Sequence, residues 1–255
     1  MDKYVEQNKI AWEYDAYDFW VGQTGTPFER AKMDLENPRA ILGKYSKYFD
    51  DVKGIKIANI CGSCGKKAIP LAILGASVTV FDISKENKRY ACETAEAAGT
   101  NIDFIVGDVM DIDLSVYGGY FDVVFMEGGI LHYFFDIDRF MSLMNSLVKH
   151  GGKMICSDFH PIHKFIDVLG LGGPAVDYFS TEIIECEMAH AKFYDEEKRK
   201  KFPKCKIRRY TLSEIINSVI NNGFILRSFE EHPAWTNKEL PGLFTLVADK
   251  TVRKL

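Results

Sequence analysis

Ile57-Ala58-Asn59-Ile60-Cys61-Gly62-Ser63-Cys64-Gly65-Lys66-Lys67-Ala68 is the stretch that decides how this chain reads. Apolar, β-favouring residues run into a turn of small residues, and a helical pattern follows. The segment therefore predicts a strand, a tight loop and a helix start. Such a junction lets a ligand approach the backbone, because Gly62, Ser63 and Gly65 carry little or no side chain and the unbonded N–H groups of a helix start point outward.

Around it the same alternation repeats. Strand 55–61 leads to helix 65–74, strand 77–82 to a helix over 85–98 that stops at Gly99, and strand 102–106 ends at Gly107-Asp108. Strand 121–126 ends at Glu127-Gly128-Gly129 and strand 153–157 at Ser157-Asp158. Strands alternating with helices imply right-handed crossovers and a parallel sheet covered on both faces. Ligands of such sheets bind beyond the carboxyl ends of the strands, where the polar residues just named fall. Near the end, Thr211-Leu212-Ser213-Glu214 reads as a capping box heading a helix to Asn222, with Gly223 as its stop. Strands 224–230 and 243–249 have no helix between them and should pair antiparallel.

Two regions break the rhythm. Residues 1–50 hold Tyr4, Trp12, Tyr14, Tyr17, Phe19 and Trp20 in a polar background, with Pro27 and Pro38 placed to open helices. The plain account is an amphipathic helical cap, and the sharper one an aromatic lid over a ligand. Residues 160–206 read as an insertion outside the sheet, with Gly170, Gly172, Gly173 and Pro174 forming a loop. A basic run follows: Lys198, Arg199, Lys200, Lys201, Lys204, Lys206, Arg208 and Arg209. That run could grip RNA phosphates, or it could be a solvated linker balancing the acidic stretch before it.

Bulk composition narrows the classes. The chain has 255 residues, 47% of them hydrophobic, which is enough for a proper core in one domain with an insertion. A net charge of -4 offers no general attraction to a polyanion. No run of eighteen apolar residues and no signal-like opening occurs, so a soluble, cytoplasmic protein with no membrane partner is expected. The six cysteines do not read as a disulfide framework. Cys61-x-x-Cys64 lacks a second Cys or His pair to complete a zinc site and lacks a thioredoxin-like setting, so no metal or redox role is assigned.

Asp82 stands 20 positions beyond Gly62, at the end of the second predicted strand, where a carboxylate can accept hydrogen bonds from ribose hydroxyls. That spacing alone would suit an NAD enzyme equally. No G-x-G-x-x-G is present to seat a pyrophosphate, however, and Gly107-Asp108-Val109 offers a carboxylate and an N–H to an adenine edge.

With Phe81-Asp82-Ile83-Ser84, Phe121 through Tyr133 and Leu147-Val148-Lys149-His150-Gly151-Gly152-Lys153, the chain over roughly 50–250 resembles the class I S-adenosylmethionine-dependent methyltransferases. The resemblance implies a Rossmann-like three-layer α/β sandwich, with a seven-stranded, mostly parallel sheet and an antiparallel C-terminal strand. A methyltransferase domain would occupy 51–255, behind a helical cap at 1–50 and interrupted at about 160–206. It further implies S-adenosyl-L-methionine as cofactor. Asn59, Cys61, Gly62, Ser63 and Gly65 would meet its methionine part, Asp82 the ribose, Ile83 an adenine face, and Asp108 with Val109 the adenine edge. Glu127 completes that set. The family usually has an acidic residue where Asn59 stands and a glycine where Cys61 stands. Asn59 still offers a carbonyl oxygen to an ammonium, without the charge.

Methyl transfer from a sulfonium is an in-line displacement, which asks for alignment and exclusion of water, and for a base only if the nucleophile must lose a proton. His160, His132 and Glu127 are the catalytic candidates. Tyr17, Trp20, His132, Tyr133, His160 and His163 are candidates for contact with a small-molecule acceptor. Non-catalytic binding of an S-adenosyl ligand, and an RNA methyltransferase using residues 198–209, are the alternatives.

Overall fold

The computed structural model describes residues 3–162, 177–235 and 237–251. Helices α1 (Lys3–Glu13), α2 (Ala16–Thr24), α3 (Pro27–Glu36) and α4 (Pro38–Leu42) open the chain. Pro27 and Pro38 each follow an N-cap, Thr26 and Asn37, whose side chain accepts an N–H of the first turn. Strand β1 (Lys56–Ile60), helix α5 (Ala68–Ile73), strand β2 (Ser77–Asp82), helix α6 (Lys85–Ala97) and strand β3 (Asp103–Val106) come next. Then follow α7 (Leu114–Tyr117), β4 (Phe121–Glu127), α8 (Ile137–Leu147), β5 (Val148–Phe159), β6 (Ile183–Glu187), α9 (Glu196–Arg199), β7 (Lys204–Arg208), α10 (Leu212–Asn221), β8 (Phe224–Pro233) and β9 (Pro241–Lys250).

Seven strands form one sheet in the order β3-β2-β1-β4-β5-β9-β8, while β6 and β7 pair separately, β7 running past residue 206 to Arg208. The pairs β1–β2, β2–β3 and β4–β5 are parallel, and β9 runs antiparallel to both β5 and β8. The α/β class and the antiparallel C-terminal pair are therefore as expected. Val123, Val124, Phe125 and Met126 on β4 are all buried, the continuous apolar run of a strand covered on both faces.

Several element boundaries differ from the sequence reading, two of them instructively. The helix expected over 65–74 begins only at Ala68, because Pro70 has no N–H to close a turn on Lys66. Gly65 and Lys67 instead accept from Ile69 and Leu71. The fifth strand is longer than 153–157, reaching back to Val148 through Gly151, whose φ is 76°. The Gly170–Pro174 loop and His163 lie outside the described residues.

The chain groups into two compact units, Met1–Ile112 with Glu185–Cys205, and Asp113–Ile184 with Lys206–Leu255. Residues 3–48 are mostly helical and belong to the same unit as β1–β3. There α3 carries a buried ion pair, Arg30 to Asp34 at 2.8 Å, in which burial of the aspartate raises its pKa against the pull of the guanidinium. In the second unit, the Thr211–Glu214 capping box forms in full.

Candidate functional site

In the first unit, the loop after β1 is wound tightly. Cys61 and Ser63 both take left-handed backbone angles (φ 49° and 51°), as does Gly65 at 74°. Asn59 is buried beneath the loop, and a Cβ on Gly62 would overlap its Oδ1 and stand 2.8 Å from Val80 Cγ1. Only glycine fits there. Cys61 and Cys64 are free thiols.

Asp82, 5% exposed at the end of β2, ties this loop to the next helix. Its Oδ2 accepts the Ser63 N–H at 2.9 Å, and its Oδ1 accepts the Ser84 N–H at 3.0 Å and Asn87 Nδ2 at 3.1 Å. Burial raises the Asp82 pKa, and these hydrogen bonds oppose the rise. Asn87 in turn accepts Trp20 Nε1 at 2.8 Å. Trp20 thus meets the neighbour of Asp82, while Tyr17 donates to Glu93 and lies under the Arg89 guanidinium.

The residues present fit an adenosyl group. Ser63 Oγ is buried with no hydrogen-bond partner, an acceptor or donor left for a ligand. Ile83 is half-exposed beside Asp82, and space opens at Gly107, where a Cβ would meet nothing within 4 Å. Asp108 caps the short turn Val109–Asp111 by accepting the Met110 N–H at 2.9 Å, and Val109 is buried.

In the second unit, Glu127 ends β4 and the chain turns through Gly128 and Gly129, both with positive φ. A Cβ on Gly129 would stand 2.8 Å from Phe159 Cδ2. Asp158, buried near the end of β5, gathers this turn: its Oδ2 accepts the Ile130 and Leu131 N–H groups at 2.8 Å each, and its Oδ1 the Phe159 N–H at 2.6 Å. Burial pushes its pKa up to about 6. The next residues, His132 and Tyr133, have ring centroids 4.2 Å apart, and His132 lies nearly parallel to Phe159. His160 is buried. Its Nδ1 accepts the Ile162 N–H at 3.2 Å and its Nε2 faces Glu231 Oε1 at 3.0 Å. Burial lowers its pKa more than Glu231 raises it.

Three residues escaped the sequence reading. Asn87 was signalled only by its place three residues after the helix cap Ser84. Phe159 follows Asp158 and carried no motif. His190 is buried with Nδ1 unpartnered, stacked on Phe19 at 3.6 Å and edge-on to Trp12 and Trp20 at 5.1 Å. Burial pushes its pKa down to about 4, so it is neutral. No motif announced it. Among the described residues no group of three His, Cys, Asp or Glu is arranged to hold a metal ion.

The seven-stranded sheet in this order, with its antiparallel C-terminal strand, is the fold of the class I Rossmann-like methyltransferases. Residues 57–152 match the family model of a methyltransferase domain. A ubiquinone biosynthesis O-methyltransferase from Sinorhizobium fredii is 32% identical over 114 residues, covering 44% of each chain. The chain thus aligns with somewhat under half the length of that curated relative. Among solved structures, magnesium protoporphyrin IX methyltransferase from Synechocystis PCC 6803 with bound S-adenosylhomocysteine superposes with a TM-score of 0.62 at 15% identity, over 97% of this chain and 99% of that one. An S-adenosylmethionine-dependent methyltransferase from Mesorhizobium loti gives 0.58 at 19%, over 85% and 100%. Residues 57–152 thus carry a methyltransferase domain, and the chain has the fold of solved S-adenosylmethionine-dependent methyltransferases.

Proposed function

We propose that the protein transfers a methyl group from S-adenosyl-L-methionine to a small-molecule acceptor. The observation that carries this reading is the link from Asp82 to the Ser63 N–H, which holds a ribose-binding carboxylate against a loop of small residues inside a segment matching a methyltransferase domain. Asn59, Cys61, Gly62, Ser63 and Gly65 would hold the methionine part, Asp82 the ribose, Ile83 one adenine face, and Asp108 with Val109 its edge. Glu127 joins this set. The cofactor supplies an activated methyl, and the chain's own work is to bind, align and exclude water.

His132, His160 and Glu127 remain the catalytic candidates, with Tyr17, Tyr133 and His163 as acceptor contacts, whereas the Trp20 indole N–H is taken up by Asn87. His160 is the weaker candidate for proton removal, since its Nδ1 already accepts a backbone N–H and its Nε2 faces Glu231. A small acceptor is favoured over nucleic acid by the pairing within the basic run. Lys198, Arg199, Lys200, Lys204 and Arg208 are bridged to Asp15, Glu187, Glu196, Glu185 and Glu214 respectively. The named O-methyltransferase relative also supports a small acceptor. Free thiols at all six cysteines suit a cytoplasmic setting, and no helix among the described residues is long and apolar enough to cross a membrane.

The test is incubation with methyl-labelled S-adenosylmethionine and a panel of phenols, amines, thiols and carboxylates. The expected result is label on one acceptor class with matching S-adenosylhomocysteine release, slowed more by His132→Ala than by His160→Ala. Cofactor bound but never turned over by any acceptor would favour a non-catalytic binding protein.

A further inference from the structure

The Asp82 carboxylate does not stand alone, and what holds it comes from the N-terminal helices. Trp20 on α2 donates its indole N–H to Asn87 Oδ1 at 2.8 Å, and Asn87 Nδ2 donates to Asp82 Oδ1 at 3.1 Å. Asp82 Oδ2 then accepts the Ser63 N–H of the cofactor loop. Asn87 is 1% exposed, and its own N–H is fixed on Ser84 Oγ at 3.1 Å. Its amide has only one workable orientation. Flipped, the carbonyl oxygen would face the Asp82 carboxylate and the NH2 group would face the indole N–H, two repulsive contacts. An amide receiving a hydrogen bond on oxygen is polarised into a better donor on nitrogen, so the indole strengthens the grip on Asp82.

The same indole has a second contact. Its ring meets His190 edge-on at 5.1 Å, while the neighbouring Phe19 stacks on that imidazole. Lys198, further along the 185–205 segment, is bridged to Asp15 at the head of α2 at 2.7 Å. Helix α2 therefore reaches Asp82 only through Asn87, by the Trp20 indole N–H, and meets the 185–205 segment through the rings of Phe19 and Trp20.

We propose that Trp20 and Asn87 are positioning residues for the donor. They hold the Asp82 carboxylate in the rotamer that receives the ribose diol, and they transmit donor binding to the packing of α2 on the segment around His190. This rests on the donor reading above. It gives the N-terminal helices a task distinct from covering the core, and makes Trp20 a donor-side residue, where the sequence suggested contact with the acceptor.

The test is a double-mutant cycle of Trp20→Phe and Asn87→Ala, read as S-adenosylhomocysteine affinity by calorimetry, with ligand-free melting measured alongside. Trp20→Phe keeps an aromatic ring but removes the N–H donor together with the pyrrole half of the indole, and the cycle with Asn87→Ala and the ligand-free melting separate the lost hydrogen bond from the lost packing. The substitution is expected to weaken binding about three- to tenfold, the worth of one hydrogen bond, and to add little in the Asn87→Ala background. In a Trp12→Phe, Trp235→Phe protein, the emission of Trp20 should shift on saturation. Unchanged affinity in Trp20→Phe, or losses that multiply independently, would overturn the relay while leaving the donor reading intact. A wild-type protein that binds no S-adenosylhomocysteine would overturn both. A melting point lowered with no specific loss of affinity would reduce Trp20 to a packing residue and likewise overturn the relay.

Discussion

Two buried aspartates, Asp82 and Asp158, do the same kind of work in different units of the molecule. Each sits at or near the carboxyl end of a parallel strand and collects N–H groups from a neighbouring turn. Asp82 gathers one amide from the loop after β1, one from the head of α6, and a side-chain amide that leads outward to Trp20. Asp158 gathers only backbone, from Ile130, Leu131 and Phe159. A carboxylate wired through side chains can respond to a ligand, whereas one consumed by its own turn chiefly fixes shape. The second aspartate accordingly sets the backbone from which His132 and Tyr133 project, and the first is the one we propose meets the cofactor.

Substitutions should separate these roles. Asp158→Ala strips the acceptor from buried N–H groups at a cost of roughly 1–3 kcal/mol each. Denaturant unfolding should therefore show the largest effect, a loss of about 2 kcal/mol or more, with S-adenosylhomocysteine affinity nearly kept. Asp82→Ala also strips the acceptor from three donors and should cost comparable stability, but it alone should in addition weaken that affinity by more than tenfold, about 1.4 kcal/mol. Equal loss of affinity in both variants would erase the distinction.

A smaller effect lies in the pH dependence of stability. With a folded pKa of about 6 against an unfolded value near the ordinary carboxylate range, Asp158 binds its proton more tightly in the native state. Its contribution is fully present below about pH 4 and is lost as pH rises through about 6. Unfolding midpoints of Asp158→Asn across that window should show a shallower fall with rising pH than the wild type, and an identical slope would contradict the assignment. The smallest effect is expected at the basic run. Filter retention of tRNA at two salt concentrations should be negligible, since five of its cations are already bridged to carboxylates. Salt-sensitive retention would reopen the RNA reading.

The contrast also explains what could be read from the sequence. Asp82 was legible because its strand, the small-residue loop and the spacing from Gly62 are all local patterns. Asp158 was visible as a carboxylate at a strand end, but its partners lie 27 and 28 positions away and depend on β4 pairing with β5 so that Glu127 meets Ser157. No local pattern carries that register. The strands and the C-terminal antiparallel pair followed from alternation and from the missing helix, whereas the late start of α5 turned on Pro70, whose lost N–H outweighed the helical pattern before it. His190 and the ion pairs of Lys198 and Lys204 come from the irregular segment, where no period organises the residues. The same is true of the Trp20–Asn87 contact, which joins helices 67 positions apart.

The central claim, that the loop at 61–65 with Asp82 is a seat for S-adenosylmethionine, is tested most directly by titration calorimetry of the wild-type protein with S-adenosylmethionine, S-adenosylhomocysteine and NAD. Saturable one-site binding of both adenosyl sulfur compounds and none of NAD is the predicted result. Tight binding of NAD alone would contradict it.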